Sequence, residues 1–351
     1  MNKNIRNLLL GLVVVIVLAV IILRGDQLQE LYHTMQSGLA IPLVAAVLTQ
    51  LCKYFSQGFA YTYCFEAVGE HMDVRNTLPL VFGTFFMNTV APSMNLAGMT
   101  LVVDDARRRG IDPGHASSAA LLMQITIDGA FTLLMIIGFA LVVLVGGMNA
   151  LWFLPGIAVI CLVAGMCAIM VLANRNRPLL LRILHPIERF VNRVLAKFKK
   201  DPLKPWAEDW ATRFGEAALQ IVRNPRPALK AYGCSLIASL CELSCFCLVG
   251  IAFGVTNVSV LVCGYIIATL FAMVSVTPQG VGFVETAVIV AFTAFGESAA
   301  AGTAIGLVYR GIVFWLPFII GAILINTTKT FKGEKVETTP QGEKVETTPR
   351  V

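Results

Sequence analysis

The chain has 351 residues, of which 57% are hydrophobic and only 14% are charged, with a net charge of +6 and a mean hydropathy of +0.76. Soluble domains average about 45–50% apolar and about 25% charged residues, so this composition excludes an ordinary soluble protein. The sequence carries no dinucleotide-binding, P-loop or HExxH motif and no His/Cys cluster with metal-ligand spacing. It predicts an all-α polytopic membrane protein without a cofactor or metal, and no nucleic-acid partner is expected.

Six apolar stretches are long enough to form full transmembrane helices, since one crossing needs about 20 residues. They lie at about residues 7–23, 40–65, 115–145, 149–173, 231–253 and 299–326. The first stretch follows Lys3 and Arg6 and so resembles a signal peptide. It ends without a small-x-small cleavage site, and we interpret it as an uncleaved first helix.

Two further apolar stretches, 77–103 and 258–295, are each interrupted in the middle by a proline followed closely by a glycine. Non-helical backbone at membrane depth is tolerated only where protein or a water-filled cavity surrounds it. We therefore interpret both stretches as re-entrant hairpins or broken helices. The alternative is that each proline only kinks a packed helix.

The distribution of basic residues predicts the orientation, because cytoplasmic loops of membrane proteins are enriched in Lys and Arg. With the N-terminus in the cytoplasm, almost every basic residue outside the spans is cytoplasmic, and six crossings return the C-terminus to the same side. The two broken segments then open from opposite sides of the membrane. Paired Gly/Pro-interrupted segments of this kind predict an inverted repeat with a binding site near the midplane.

Residues 174–230 form the longest polar connection and predict two cytoplasmic amphipathic helices, at 179–198 and 206–222. Basic amphipathic helices of this kind bind the anionic lipids of the inner leaflet. A positive-inside loop packed on the helix bundle fits the same pattern, and the sequence does not choose between the two. We assign residues 1–328 to one transmembrane domain that contains this insert, and 329–351, a tandem GEKVETTP repeat, to a disordered tail.

Five ionisable residues fall within apolar stretches: Lys53, Asp128, Glu242, Glu285 and Arg310. Charges at this depth are costly, so they face partners or cavities and indicate functional sites. The guanidinium fork suits a phosphate, and the helix starts that follow the two breaks favour an anion. The acids favour a cationic group, so a mixed-charge phospholipid head group fits the set. The alternative is that the charges form buried pairs that only hold the bundle together.

Three segments resemble the lysylphosphatidylglycerol synthase transmembrane region family over roughly residues 5–327. TPQGVGFVE at 277–285 resembles its TPGG(I/V)GxxE signature, the segment 88–98 resembles its N-x-x-x-P-G-x-x-G pattern, and Tyr309-Arg310 resembles its Y-R pair. Gln279 and Ser93 stand where the family usually has glycine, and Met99 stands where an acidic residue is often found. These departures concern the substrate more than the fold.

Family members with a second, soluble domain synthesise an aminoacylated lipid and move it to the outer leaflet of the bacterial membrane. The resemblance thus implies a stand-alone lipid translocase of the cytoplasmic membrane, which is not an enzyme. The residues expected to bind the lipid are Lys53, Asn88, Pro92, Ser93, Asn95, Gly98, Asp128, Glu242, Thr277, Pro278, Gln279, Gly280, Gly282, Glu285, Tyr309 and Arg310.

Two other functions stay open. One is a membrane-embedded enzyme or accessory protein acting on a polyprenyl-phosphate or glycolipid, which would need a metal-binding acid pair such as Asp104-Asp105. Charge compensation by the three arginines that follow is the favoured interpretation of that pair. The other function is a lipid-binding scaffold that acts through residues 174–230. The oligomeric state is also open, with a homo-oligomer as one option.

Overall fold

The structure, a computed structural model, describes residues 37–90, 95–145, 153–175, 207–274 and 282–327, with a few residues between 178 and 186. Within these ranges every regular element is a helix. A five-residue π-helical segment, Gly311–Trp315, joins the last two helices. In chain order, the α-helices are α1 (Ala40–Ala67), α2 (Val74–Val90), α3 (Leu96–Arg108), α4 (Pro113–Val145), α5 (Phe153–Arg175), α6 (Ala207–Arg223), α7 (Pro225–Ala252), α8 (Val258–Val274), α9 (Phe283–Ala294), α10 (Ala299–Arg310) and α11 (Leu316–Thr327).

The apolar helices confirm that the chain is a membrane protein. Three segments are long and apolar enough to cross a bilayer: Pro113–Ala140, Pro225–Ala252 and Ala299–Leu324. Shorter apolar helices lie at Gly156–Leu172, Val258–Met273 and Phe283–Ala294. Helices α1, α4, α5, α7 and α10–α11 match five predicted spans to within a few residues. The sixth, 7–23, lies outside the described residues, and the number of crossings stays a prediction.

Each of the two interrupted stretches contains two helices that pack on each other, α2 with α3 and α8 with α9. Helix α3 begins after Asn95, with φ 69°, and α9 begins after Gly282, with φ 87°. Backbone with φ in this range is strained for most L residues and favours Gly or Asn. The predicted site residues Pro92, Ser93, Thr277, Pro278, Gln279 and Gly280 lie outside the described residues.

The centre of the fold is a long antiparallel pair formed by α1 and α7, each of 28 residues. At one end the Leu39 amide donates to the Ala252 carbonyl (3.1 Å), and towards the other the Ser56 hydroxyl donates to the Cys234 carbonyl (2.7 Å). The two helices therefore run in opposite directions, as the predicted topology requires. Helices α2, α4 and α8 pack around this pair.

Helix α6 is the second amphipathic helix predicted in the insert, and it packs on the bundle. Phe214 and Ala218 on its apolar face are buried, and the Ser118 hydroxyl of α4 donates to the Phe214 carbonyl (3.4 Å). The contact is close because Gly114 has no side chain: a Cβ there would lie 2.5 Å from the Arg213 Cβ. Helix α6 is thus packed on the helix bundle, which is compatible with lipid binding by the basic side chains of the insert. Most of the first predicted helix, 179–198, and the tail, 329–351, lie outside the described residues.

Candidate functional site

The best-defined charged site lies where α9 packs against α10. Gly302, Gly306 and Arg310 recur at four-residue spacing on one face of α10. A Cβ on Gly302 would lie 3.1 Å from the Ile289 Cα, and one on Gly306 3.6 Å from the Glu285 Cα. Small residues at this spacing let two membrane helices approach closely. The approach carries Arg310, one turn further along α10, to the side chain of Glu285.

Glu285 serves two partners at once. Its Oε1 lies 3.5 Å from the Arg310 Nε, and its Oε2 accepts a hydrogen bond from the Gly282 amide at 2.7 Å. The carboxylate therefore caps α9 in the manner of a third-position acidic residue while it neutralises the arginine. The side chains of Glu285 and Arg310 are 26% and 10% exposed. The pair is thus mostly shielded, and the acid is more exposed than the arginine.

The guanidinium of Arg310 also packs over the ring of Phe314, with 5.1 Å to the ring centroid. Phe314 lies in the π-helical segment, and irregularities of this kind occur often at functional sites. The same ring contacts Phe85 of α2 (6.2 Å between centroids), while Phe318 of α11 stacks on Phe86 (5.1 Å). Aromatic contacts therefore connect the arginine to the helix that precedes the first break.

A second charged pair joins the two central helices. The Lys53 ammonium of α1 binds the Glu242 carboxylate of α7, and the Tyr265 hydroxyl of α8 approaches the other carboxylate oxygen at 3.4 Å. The Lys53 and Glu242 side chains are 12% and 17% exposed, and Tyr265 is buried. This ion pair joins α1 to α7, as the interpretation in which buried charges hold the bundle together requires.

Phe246 lies between the two charged pairs. It is on α7 one turn after Glu242, and its ring contacts those of Tyr265 (6.1 Å) and Tyr309 (4.9 Å). Tyr309 immediately precedes Arg310 in α10 and is buried. The two ion pairs thus belong to one polar and aromatic region in the middle of the bundle.

At the first break, α2 and α3 are joined by a hydrogen bond between uncharged groups. Asn88, in the last turn of α2, accepts a hydrogen bond from the Gly98 amide of α3 at 2.7 Å. A Cβ on Gly98 would lie 2.7 Å from the Asn88 Nδ2, so only glycine allows this approach. The structure brings Asn88, Asn95 and Gly98 together around the start of α3. The amide that was expected to attract a substrate anion is already bonded within the protein.

Asp128 lies apart from both charged pairs. It is 4% exposed in the middle of α4 and accepts a hydrogen bond from Gln124 of the same helix at 2.8 Å. One turn further, the Thr132 hydroxyl donates to its backbone carbonyl. Among the described residues, no Lys, Arg or His forms an ion pair with this carboxylate.

The acid pair that the enzyme hypothesis requires is engaged by arginines. Arg108 bonds to Asp104 (2.6 Å) and Arg109 to Asp105 (2.8 Å), each four residues along the chain. This confirms charge compensation as the arrangement at the end of α3. Within the part of the chain that the structure describes, no group of three or more His, Cys, Asp or Glu side chains is arranged to hold a metal ion.

Several residues of the charged region were not predicted as site residues, namely Tyr265, Phe246, Phe314, Gly302 and Gly306. Two signals could have found some of them. Glycines four residues apart before Arg310 predict a close helix contact, and an aromatic residue one turn after Glu242 lies on the same helix face. Tyr265 had no local signal, because its contact with Glu242 depends on how α7 and α8 pack.

These features define an α-helical membrane protein with charged pairs inside its helix bundle. The chain belongs to the family described as lysylphosphatidylglycerol synthase TM region, which it matches over residues 8–321. The match confirms the resemblance found in the sequence motifs. No curated protein matches the chain. Membership of this family indicates a lipid-related, flippase-like role in a membrane.

Proposed function

We propose that this protein is a lipid translocase, which binds the head group of a phospholipid in the charged region between α7, α9 and α10 while the acyl chains remain in the bilayer. The observation that carries the proposal is the Glu285–Arg310 pair, held at the start of a short helix by the close contact of α9 with α10. Intramembrane charges placed on interrupted helices are typical of transporter binding sites.

The arrangement of helices supports two opposed re-entrant hairpins. Helices α1 and α7 have the same length and run antiparallel, and each is followed by two short helices that pack on each other. A longer helical segment with an internal charge then follows in each half: α4 carries Asp128, and α10–α11 carries Arg310. This repetition with inverted direction is the pattern of a transporter in which two halves alternate around one site.

Both charge signs in the site suit a head group that has a phosphate and a cationic group. Arg310 binds the phosphate through its guanidinium fork, and Glu285 binds the cation. Both side chains are paired before the lipid arrives, so binding exchanges one set of ion pairs for another. This exchange avoids leaving a desolvated charge alone, which is the most costly arrangement in a low-dielectric interior.

In this proposal the protein functions in the bacterial cytoplasmic membrane, with both termini in the cytoplasm. The Lys and Arg side chains of the insert 174–230 are then on the cytoplasmic side and attract the anionic lipids of the inner leaflet. No ATPase motif is present in the sequence, so lipid movement is passive or is coupled to an ion gradient.

The proposal is tested with the full chain in proteoliposomes that contain fluorescent phospholipids with different head groups. Transbilayer movement is measured for the wild type, Glu285→Ala and Arg310→Ala, with Arg75→Ala as the matched control because Arg75 is exposed and lies outside both the charged region and the basic insert. We expect movement in the wild type and in the control, and its loss in both site variants.

Wild-type movement that persists in both site variants would place the binding site elsewhere. If no head group moves faster than in protein-free vesicles, with or without an ion gradient, the translocase function is wrong. The enzyme and scaffold hypotheses would then be the ones to pursue.

A further inference from the structure

The intramembrane acids of this protein differ in their partners. Glu242 is bound to Lys53, and Glu285 is paired with Arg310. Asp128 is the most deeply buried of the three and is hydrogen-bonded to the amide of Gln124 rather than to a cation. The charged pairs therefore account for two acids and leave the third with a neutral partner.

A buried carboxylate with no counter-charge is costly in a membrane interior, and a carboxyl group avoids this cost by binding a proton. The hydrogen bond from Gln124 acts in the opposite sense, because an N–H donor stabilises the ionised form. Asp128 is thus placed where burial and hydrogen bonding favour different protonation states. Glu285 is not, since both Arg310 and the Gly282 amide stabilise its charge.

We propose that Asp128 binds and releases the proton that couples lipid movement to a pH gradient across the membrane. The inference rests on the proposed translocase function and adds its energy source. A hydronium ion on one side of the membrane gives up one O–H bond as the Asp128 carboxylate forms one, and a water molecule is released. On the other side the carboxyl O–H bond breaks as a water molecule accepts the proton, so the carboxylate is regenerated and no other group changes.

The local geometry favours a proton over larger cations. At 4% exposure Asp128 does not offer a surface on which a lipid ammonium group could dock, whereas a proton needs only one oxygen atom. A metal ion needs several oxygen ligands, and here the nearest polar neighbour, Gln124, directs an N–H group at the carboxylate. Asp128 therefore acts in coupling rather than in head-group binding.

The helices packed against α4 bring few titratable groups to this level. Tyr232 of α7 lies beside Gly129, Tyr265 of α8 contacts Phe131, and the charges of α3 and α6 meet α4 near its first turns. The titratable groups on these neighbours include Lys53, Tyr61 and Cys64 of α1, Asp105 of α3, Cys161 and Cys167 of α5, Arg213 of α6, Tyr232, Cys234 and Glu242 of α7, and Tyr265 of α8. Lys53, Glu242 and Asp105 are each engaged in an ion pair.

The test uses the full chain in proteoliposomes that contain a pH-sensitive dye and a fluorescent phospholipid. Lipid movement is measured with and without an imposed pH gradient in the wild type, Asp128→Asn and Asp128→Glu. The matched control is Asp73→Asn, the same change on an exposed carboxylate. We expect the gradient to accelerate lipid movement several-fold in the wild type, the control and Asp128→Glu, with a matching dye signal. In Asp128→Asn we expect no acceleration and no dye signal.

A second measurement separates coupling from folding and from transport itself. Infrared titration of the purified chain should show a protonated carboxyl band that disappears as the pH rises and that is missing from Asp128→Asn. Gradient acceleration that persists in Asp128→Asn, or the lack of a titrating Asp128 band, overturns the inference. Wild-type lipid movement that ignores the gradient overturns it too and leaves the translocase function standing, whereas no lipid movement at all rejects the translocase function itself.

Discussion

The two helix breaks of this protein carry side-chain hydrogen bonds of the same length, one formed by an uncharged group and the other by a charged group. At the first, the Asn88 side chain accepts from the Gly98 amide at 2.7 Å; at the second, the Glu285 side chain accepts from the Gly282 amide at 2.7 Å. Asn88 belongs to the helix before the break, so it ties α2 to α3. Glu285 belongs to the helix after the break and is shared with Arg310. The first break is held by a hydrogen bond between uncharged groups, whereas the second places a charged carboxylate at the start of α9. In the proposed function this carboxylate exchanges its partner for a ligand.

The largest expected effect comes from removing the positive charge that neutralises Glu285 at the second break. Arg310→Met should lower the free energy of unfolding by about 3 kcal/mol, because Glu285 then loses its buried counter-charge. Chemical denaturation in detergent micelles, followed by circular dichroism, measures the change. Arg226→Met, at an exposed position of α7, is the control and should have an effect below about 0.5 kcal/mol. If Arg310→Met and Arg226→Met lower the free energy of unfolding equally, Arg310 does not act as the counter-charge of Glu285.

The first break should respond to shape rather than to charge. Gly98→Ala places a Cβ 2.7 Å from the Asn88 Nδ2, so the asparagine must move and its bond to the Gly98 amide is lost. We expect a loss of about 1–3 kcal/mol in the free energy of unfolding. Gly165→Ala is the matched control, since a Cβ at Gly165 would meet nothing within 4 Å. That control should be neutral or stabilising, because alanine favours helix.

A third pair of variants separates the two tasks of Glu285. Glu285→Gln removes the charge but keeps a carbonyl oxygen that can accept from the Gly282 amide, whereas Glu285→Ala removes both. The alanine variant should therefore be less stable than the glutamine variant by about 1 kcal/mol, the usual contribution of a helix cap. The same denaturation measurement checks the order. If the two variants are equally stable, the cap contributes nothing and the ion pair alone holds this end of α9.

Most of the helices could be predicted from the sequence, because apolar runs of about 20 residues carry a strong signal. The positions of both breaks could also be predicted, since proline and glycine interrupt each run; the described helices end at Val90 and Val274 and resume at Leu96 and Phe283. The pairing of charges could not be predicted. Lys53 and Glu242 are 189 residues apart, and their contact exists only because α1 and α7 pack antiparallel.

The anion site expected at the helix starts could not be tested from the sequence either, because it depends on which acceptors the fold brings to the amides. The sequence predicted amide groups there that would attract a phosphate, on the general physics of helix N-termini. The structure shows that two of these amides, of Gly98 and Gly282, are bonded to Asn88 and Glu285. Local sequence predicts that a helix start attracts acceptors, but it does not tell whether the acceptor is a ligand or the protein itself.

The smallest expected effect concerns pH and the end of α3, where Asp105 lies. Burial raises the pKa of the Asp105 carboxyl above its usual value, and the bonded Arg109 opposes this shift only in part. Because the folded protein then binds a proton more tightly than the unfolded chain, this contribution to stability is complete below the usual Asp pKa and is lost as the pH rises through the raised value. Each pKa unit corresponds to about 1.4 kcal/mol. The free energy of unfolding of the wild type and of Asp73→Asn should thus fall over this interval relative to that of Asp105→Asn. A wild-type value that rises relative to that of Asp105→Asn instead would mean that Arg109, rather than burial, dominates at the end of α3.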